Sequence, residues 1–311
     1  MNKYEVYIGV DVSKEMLELS CFDNKTRAVP NTNVGIQRLI KRIERLGEPV
    51  LVCCEATGGY EKLLASALLA AGIAIAVVNA KRARDFGKSK GILAKTDPID
   101  AELLASFARV HQPRTLEVRE DWQPSLQALL GRREDILAMI KQEKSRLDPL
   151  PDASVAKLIR KHIKQMELQL REIEKQVDTL CSESAELQAS VERITQVKGM
   201  GKLSALALLG FVPELGSISD KQASALVGLA PFNRDSGKFR GQRHTTGGRQ
   251  KVRRILYMAA VSAKSSNPIL REFYNSLITR GKPFKVAIVA VMRKLVCLAN
   301  QIMADATFQP A

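Results

Sequence analysis

YIGVDVSK, residues 7–14, opens with six positions suited to a β-strand and sets one carboxylate, Asp11, among apolar neighbours. An ionised carboxylate is not stable in an apolar interior, so this strand has to present Asp11 to a cleft or a partner. Working outward from Tyr7–Val12, a second β run lies at Leu17–Phe22, and a third around Arg27–Pro30 follows the Asp23-Asn24 turn. Ile36, Leu39, Ile40, Ile43 and Leu46 then recur at helical spacing until Gly47 and Pro49 end the helix. Val50–Cys54 is an unbroken apolar run, the pattern of a central strand covered on both faces. A helix is expected after Gly58-Gly59, a strand at Ile73–Val78, and basic loop from Lys81 to Lys95.

Strand-strand-strand-helix-strand-helix-strand-helix is the order of an α/β RNase H-like domain, although other α/β folds share so coarse a pattern. The middle of the chain differs in kind. A helix is predicted from about Gln123 to Leu147, and Asp148-Pro149-Leu150-Pro151 turns the chain into the next. Positions 159, 163, 166, 170, 173, 177, 180, 184, 187, 191 and 194 alternate in steps of four and three, and all but Ser184 are apolar. This is a coiled-coil stripe about 50 Å long at 1.5 Å per residue. It either packs on its own antiparallel neighbour or joins protomers.

The last third opens with Val197-Lys198-Gly199-Met200-Gly201 and Ala205, a pattern that fits a helix-hairpin-helix. Gly199 and Gly201 would let backbone N–H groups at a helix start approach a phosphate, or would serve only close packing.

The charge is unevenly spread. Of 311 residues, 48 are Lys or Arg and 33 Asp or Glu, a formal charge of +15. Residues 1–110 are +3, residues 111–195 are −1, and residues 196–311 are +13. A basic segment joined to near-neutral ones reads as an electrostatic footprint for nucleic acid. With 45% hydrophobic residues the chain can bury real cores, which excludes wholesale disorder. The five Cys form no CxxC pair and the three His are scattered, which argues against a zinc site or a disulfide framework. The segment MNKYEVYIGV lacks a signal-peptide layout, and no apolar run reaches the roughly 18 residues of a membrane span. A cytoplasmic, reducing setting is expected.

Two constellations could carry chemistry. Asp11 sits within its strand, Glu55 ends the run Val50–Cys54, and Asp97 and Asp100 stand in KTDPIDA, residues 95–101. With Asp97 as N-cap and Pro98 at the first helical position, the two aspartates share one side of the first turn. Four hard oxygen donors select Mg²⁺, with Mn²⁺ as a substitute, and paired ions of this kind serve phosphoryl transfer. The plainer reading of each acid is a cap or an ion pair. The second constellation lies between Arg234 and Arg254, where eight basic residues accompany one acid. Arg234, Lys238, Arg240, Arg243, Arg249, Lys251, Arg253 and Arg254 are the candidate phosphate contacts. Among them Ser236 precedes Gly237 in an exposed turn; a hydroxyl there needs activation to act as a nucleophile.

YIGVDVSK, CCEATGGY (53–60) and KTDPIDA resemble the N-terminal domain of DEDD-type insertion-sequence transposases related to the Piv DNA invertases. ALVGLAPFNRDSGKFRG (225–241) with GGRQKVRRILYMAA (247–260) resembles that family's C-terminal transposase domain. The resemblance implies that Asp11, Glu55, Asp97 and Asp100 are RuvC-like metal-binding acids. It implies that Ser236 is the nucleophile that joins a DNA 5′ end. It further implies a homo-oligomer, dimer or tetramer, combining acids of one protomer with the serine of another. Double-stranded DNA is the implied partner, and several members also use a structured noncoding guide RNA. The implied setting is bacterial, on the nucleoid when acting.

The expected organisation is therefore a metal-binding domain at 1–115, a helical coiled-coil arm at 116–195, and a mainly α-helical transposase domain at 196–311. A junction-resolving nuclease that uses water, or a nucleic-acid-binding protein without catalysis, are the rival readings.

Overall fold

Strand β1 (Val6–Val12) is the hinge of a five-stranded sheet in the order β3-β2-β1-β4-β5. The computed structural model describes residues 3–20, 26–92, 96–117, 120–148, 152–232, 235–236, 239–240 and 244–310, with backbone alone at 26–27, 235–236 and 239–240. It divides into two compact units, residues 1–118 and 119–311.

In the first unit, β1, β2 (Met16–Ser20) and β3 (Thr26–Pro30) form an antiparallel meander. Helix α1 (Asn33–Glu44) then crosses to β4 (Val50–Glu55), and α2 (Glu61–Ala70) to β5 (Ala74–Val78), so that β1, β4 and β5 run parallel. Helices α3 (Ala80–Ser89) and α4 (Asp97–His111) complete the unit. The chain order from β1 to β5 follows the pattern predicted above, with α3 as an added helix before α4. Cys21 and Phe22, the expected end of the second strand, lie outside the described residues.

The two faces of β1 bury different layers. Val6, Ile8, Val10 and Val12 join Leu39 and Ile40 of α1 and Leu64 and Leu68 of α2. Tyr7 turns the other way, with Leu51, Cys53, Ala76 and Val78, against Leu104, Phe107 and Ala108 of α4. Ile36, Leu39, Ile40 and Ile43 are all buried, and at roughly 1.5–3 kcal/mol each their burial outweighs the ~1 kcal/mol of a cap. The Thr32 hydroxyl, accepting from Gly35 N, therefore sets where α1 starts rather than whether it forms.

One expectation is corrected here: most of the basic segment after Val78 is helix, not loop. Asn79 caps α3 by accepting from Lys81 N, and Ala83 and Gly87 are buried with Phe86 half-buried beside them. Three small or aromatic residues spaced three and four apart are enough to seat a helix whose other positions are charged. Residues 93–95, the end of that segment, lie outside the described residues.

The second unit is helical: α5 (Trp122–Leu147), α6 (Ala153–Glu183), α7 (Ala185–Thr195), α8 (Lys202–Phe211) and α9 (Asp220–Leu226). Two short antiparallel pairs follow, β6 (Pro231–Phe232) with β9 (His244–Thr245) and β7 (Asp235–Ser236) with β8 (Phe239–Arg240). Helices α10 (Gln250–Ser266), α11 (Pro268–Thr279) and α12 (Phe284–Ala304) end the unit.

The continuous coiled coil is not formed. The stripe breaks at Ser184, its one polar member, whose extended backbone ends α6 and whose hydroxyl accepts from Leu187 N to start α7. Ile163, Met166, Ile173 and Val177 of α6 lie in one core with Ile136 and Ile140 of α5, and Leu187, Val191 and Ile194 of α7 join the same core. That core runs on to Ile302, so the helices expected as a separate arm share it with the transposase helices. Residues 149–151, the expected turn between α5 and α6, lie outside the described residues; Asp152 caps α6 by accepting from Ser154 N and Val155 N.

Helix α12 lies in the core of the second unit. Its 21 residues are long and apolar enough to cross a membrane by length and composition. Ala287, Ile288, Val291, Met292, Leu295, Val296, Ala299 and Ile302 are instead buried in the core of the second unit. Asn300, buried among them, donates to Ile218 O and Asp220 Oδ1 and accepts from Gly216 N, which satisfies its amide.

Candidate active site

Asp11 and Glu55 stand side by side. Gly9 pairs with Cys53 and Val10 with Cys54 across the parallel strands β1 and β4, and Asp11 and Glu55 are the next residues on the two strands. Side chains alternate along a strand, so Asp11 shares the face of Tyr7 and Gly9, and Glu55 the face of Leu51 and Cys53. Both faces are the one covered by α4. Neighbouring strands lie about 4.8 Å apart, which sets the spacing of the two backbones. Both acids are half-buried, and both stand at the C-terminal ends of parallel strands, where open α/β sheets hold ligands.

Helix α4 brings the other two acids to this edge. The Gln112 amide donates to Tyr7 Oη, and a Cβ on Gly9 would meet Ala101 O and Ala105 N. From Tyr7 to Gly9 the facing residue on α4 thus steps back towards its start, so α4 runs antiparallel to β1 and its first turn lies at the Asp11 end. Asp97 is exposed and Asp100 half-buried, three residues apart on that turn. The cap is Thr96, with Asp97 and Pro98 inside the helix, which corrects the capping role expected for Asp97. Two carboxylates in a first turn are favoured by the helix dipole.

The donor set is all carboxylate oxygen and suits a hard divalent ion. Among the described residues, no group of three or more His, Cys, Asp and Glu is arranged so that it could hold a metal ion. Asp11 and Glu55 share a face of the sheet, and the first turn of α4 lies towards the same edge, without a closed ligand cage among the described residues.

Three residues on this edge were not singled out from the sequence. Glu18 is the cross-strand partner of Asp11 and lies on the same face, which makes a row Glu18–Asp11–Glu55 over three strands. Glu61 Oε2 accepts from Thr57 N (3.2 Å), Thr57 Oγ1 (2.9 Å) and Gly59 N (2.8 Å), closing the loop after Glu55. Burial alone would raise the pKa of Glu61, but these bonds and its own backbone N–H outweigh it and hold the carboxyl below its ordinary value. Asn31 Nδ2 donates to Ser13 O (2.9 Å) and Tyr60 O (3.2 Å), stitching the loops that follow β1 and β4. The four-residue spacing from Thr57 to Glu61 was a local signal; Asn31 had none, since its partners lie 18 and 29 residues away. Cys53 and Cys54, beside Glu55, are buried, and burial pushes the Cys53 thiol to about 12, so neither supplies a thiolate.

In the second unit, Ser236 is the last residue of β7, its backbone paired with Phe239 of β8, and Asp235 pairs with Arg240. Of the candidate phosphate contacts, Arg234, Lys238 and Arg243 lie outside the described residues, and Arg240 is described by its backbone alone. The other four have partners within the unit. Arg249 forms a two-pronged pair with Glu214 at 2.6 and 2.5 Å. Arg253 Nη1 donates to Gly228 O and Gly247 O, and Lys251 lies 3.3 Å from Asp135. Arg254 pairs at 3.3 Å with Glu134, a buried carboxylate that Arg133 also approaches. Gly199 is likewise used by the fold. Its φ is +100°, and a Cβ there would stand 2.7 Å from Ala263 N, so the glycine seats α10. Gly201, at the start of α8, faces open space.

Two family profiles match the chain. One, described as "Transposase" of the DEDD type, covers residues 8–150, and the other, "Transposase IS116/IS110/IS902 family", covers residues 191–275. The chain belongs to this transposase family. It is therefore an enzyme of DNA recombination, and a domain of the DEDD type depends on divalent metal ions. The transposase is 26% identical over 310 residues to the "Pilin gene-inverting protein" of Moraxella lacunata, covering 96% of each chain. The protein of the same name from Moraxella bovis is also 26% identical, over 309 residues and 96% of each chain. An "Insertion element IS110 uncharacterized 43.6 kDa protein" of Streptomyces coelicolor is 26% identical over 117 residues, 37% of the transposase and 29% of that protein.

Proposed function

We propose that the transposase cuts and rejoins DNA through a covalent link between Ser236 and a 5′ phosphate. The observation that carries this reading is the pair Asp11 and Glu55, adjacent on one sheet face, with the first turn of α4 at the same edge. It supports an RNase H-like, RuvC-like reading of the first unit. Asp11, Glu55, Asp97 and Asp100 hold the divalent ions, Mg²⁺ or in its place Mn²⁺. Bound there, such ions stabilise charge on the attacking and leaving oxygens of a phosphoryl transfer.

Ser236 Oγ attacks the phosphorus of one phosphodiester. The Oγ–P bond forms, the P–O3′ bond breaks, and the serine proton ends on the departing 3′ oxygen. Attack by a second 3′-hydroxyl reverses these steps and regenerates serine. One ester bond is exchanged for another at each stage, so no ATP is needed. The relatives named for pilin gene inversion support such strand exchange. Arg234, Lys238, Arg240 and Arg243, with the open helix start at Gly201, provide the phosphate contacts in the second unit. The partners are duplex DNA at the element ends and target, a structured noncoding RNA that selects them, and further copies of the chain in a dimer or tetramer.

The test is a labelled DNA substrate incubated with the protein and Mg²⁺ and denatured mid-reaction. Wild type should carry DNA on Ser236; Ser236→Ala should lose adduct and nicking together while still binding DNA. Nicking retained in Ser236→Ala would instead identify water as the nucleophile. Asp11→Ala should bind DNA and form no adduct.

A further inference from the structure

Helix α3 carries Lys81, Arg82, Arg84, Lys88 and, at its C-cap, Lys90, against one acid, Asp85. Its buried side, Ala83, Phe86 and Gly87, packs on α4: Gly87 faces Leu103, and Phe86 meets Phe107 edge-on at 5.4 Å. Phe86 also meets His111 at 5.2 Å, Arg82 lies over Phe107, and Lys90 Nζ donates to Ser106 Oγ. Helix α3 begins two residues after Val78, which pairs with Glu55 across β5 and β4, so its N-terminal end, with Lys81, starts beside that edge.

At 100° per residue, Lys81, Arg84 and Lys88 fall in one row opposite the buried side, and all three are exposed. They are spaced by roughly 4.5 and 6 Å along the axis, a span of about three phosphates at about 3.4 Å of duplex axis per phosphate on one strand. Among the described residues, the helix has one ion pair, Lys88–Asp85 at 3.8 Å, between two exposed side chains. This contrasts with Arg249 and Arg254, whose partners belong to the fold.

The charge of the first unit makes the row conspicuous. Residues 1–118 hold 17 cations and 14 anions; residues 80–90 alone hold 5 and 1. Without that segment the unit is −1, and four of its anions line the candidate site. A phosphate chain brought to those acids is repelled by them and needs a cationic surface close by.

We propose that the outer face of α3 is a DNA-binding surface that holds the backbone of the strand being cut, beside the acid edge of the first unit. The inference rests on the proposed nuclease role of those acids. It is tested by binding, with metal chelated, so that it fails independently of the Ser236 adduct.

The experiment uses full-length protein and a labelled mixed-sequence DNA duplex, with affinity measured over a range of salt. Lys81→Ala, Arg84→Ala and Lys88→Ala together should flatten the slope of log K against log salt by about 2–3. The melting temperature should be unchanged, because all three side chains are exposed. Lys81→Arg, Arg84→Lys and Lys88→Arg should keep the wild-type slope. Arg38→Ala, Lys41→Ala and Lys62→Ala, exposed cations on α1 and α2, remove the same charge from elsewhere and should leave the slope within error. An unchanged slope in the α3 triple variant overturns the proposal, and so does an equal change in the control. Loss of binding to an RNA hairpin with DNA binding intact would overturn it too.

Discussion

Gly9 lies directly beneath Ala101: a Cβ on the glycine would overlap the alanine carbonyl oxygen and stand 2.5 Å from Ala105 N. The backbone of α4 thus rests on the backbone of β1, with no side chain between, one residue after Asp100 and two before Asp11. Because both obstructing atoms are backbone, no rotamer change can make room.

Gly9→Ala should therefore push α4 off the sheet. Overpacking of this kind costs about 1–3 kcal/mol, which urea unfolding would resolve. Cleavage should fall much further than stability, since the displaced helix carries Asp97 and Asp100. Wild-type cleavage in Gly9→Ala would show that the acids need not share this edge.

Arg249 and Glu214 give a second expectation. Their side chains are 33% and 24% exposed, so the pair is only partly screened by water. Arg249→Ala and Glu214→Ala should each destabilise the second unit by about 1–2 kcal/mol, the range for a charge-assisted bond discounted for exposure. The salt dependence of DNA binding should stay unchanged in Arg249→Ala. A flatter salt slope with unchanged stability would return Arg249 to the phosphate contacts.

Glu61 predicts a pH dependence. Its folded pKa is lowered below the ordinary 4.5, so the folded state binds this proton less readily than the unfolded chain. The stabilisation is complete above pH 4.5 and is lost as pH falls through the folded value. Unfolding midpoints of wild type and Glu61→Gln should differ most near neutrality and converge in acid. A gap that widens with acidity would contradict the loop-closing role.

Val177 separates the two readings of the helical stripe. It is 5% exposed, in the shared core of the second unit. Val177→Asp should lower helicity and the unfolding midpoint at any protein concentration, by several kcal/mol for an unpaired buried charge. Loss of oligomer with helicity unchanged would mean that α6 meets another protomer instead.

Much of the first unit was legible because its signals are local. The apolar runs of β1 and β4, the helical spacing of α1 and the breaks at Gly47 and Pro49 depend on near neighbours in the chain. The alternation of side chains then puts Asp11 and Glu55 on one face once the strands are in register. Helix α3 escaped notice because only three of its residues turn inward, and their burial exists only against α4.

The sequence by itself determined the alternation of strands and helices from β1 to β5 and the excess of cations in the last third. The tertiary structure alone decided which cations are available to a ligand. Arg249 and Arg84 look alike in a chain, but Arg249 meets Glu214, 35 residues away, and Arg254 meets Glu134, 120 residues away. It also decided that the stripe through Ser184 breaks and folds inward. Both outcomes follow from one physical reason: an ion pair or a buried stripe takes its partner from space, and distance along the chain does not report it.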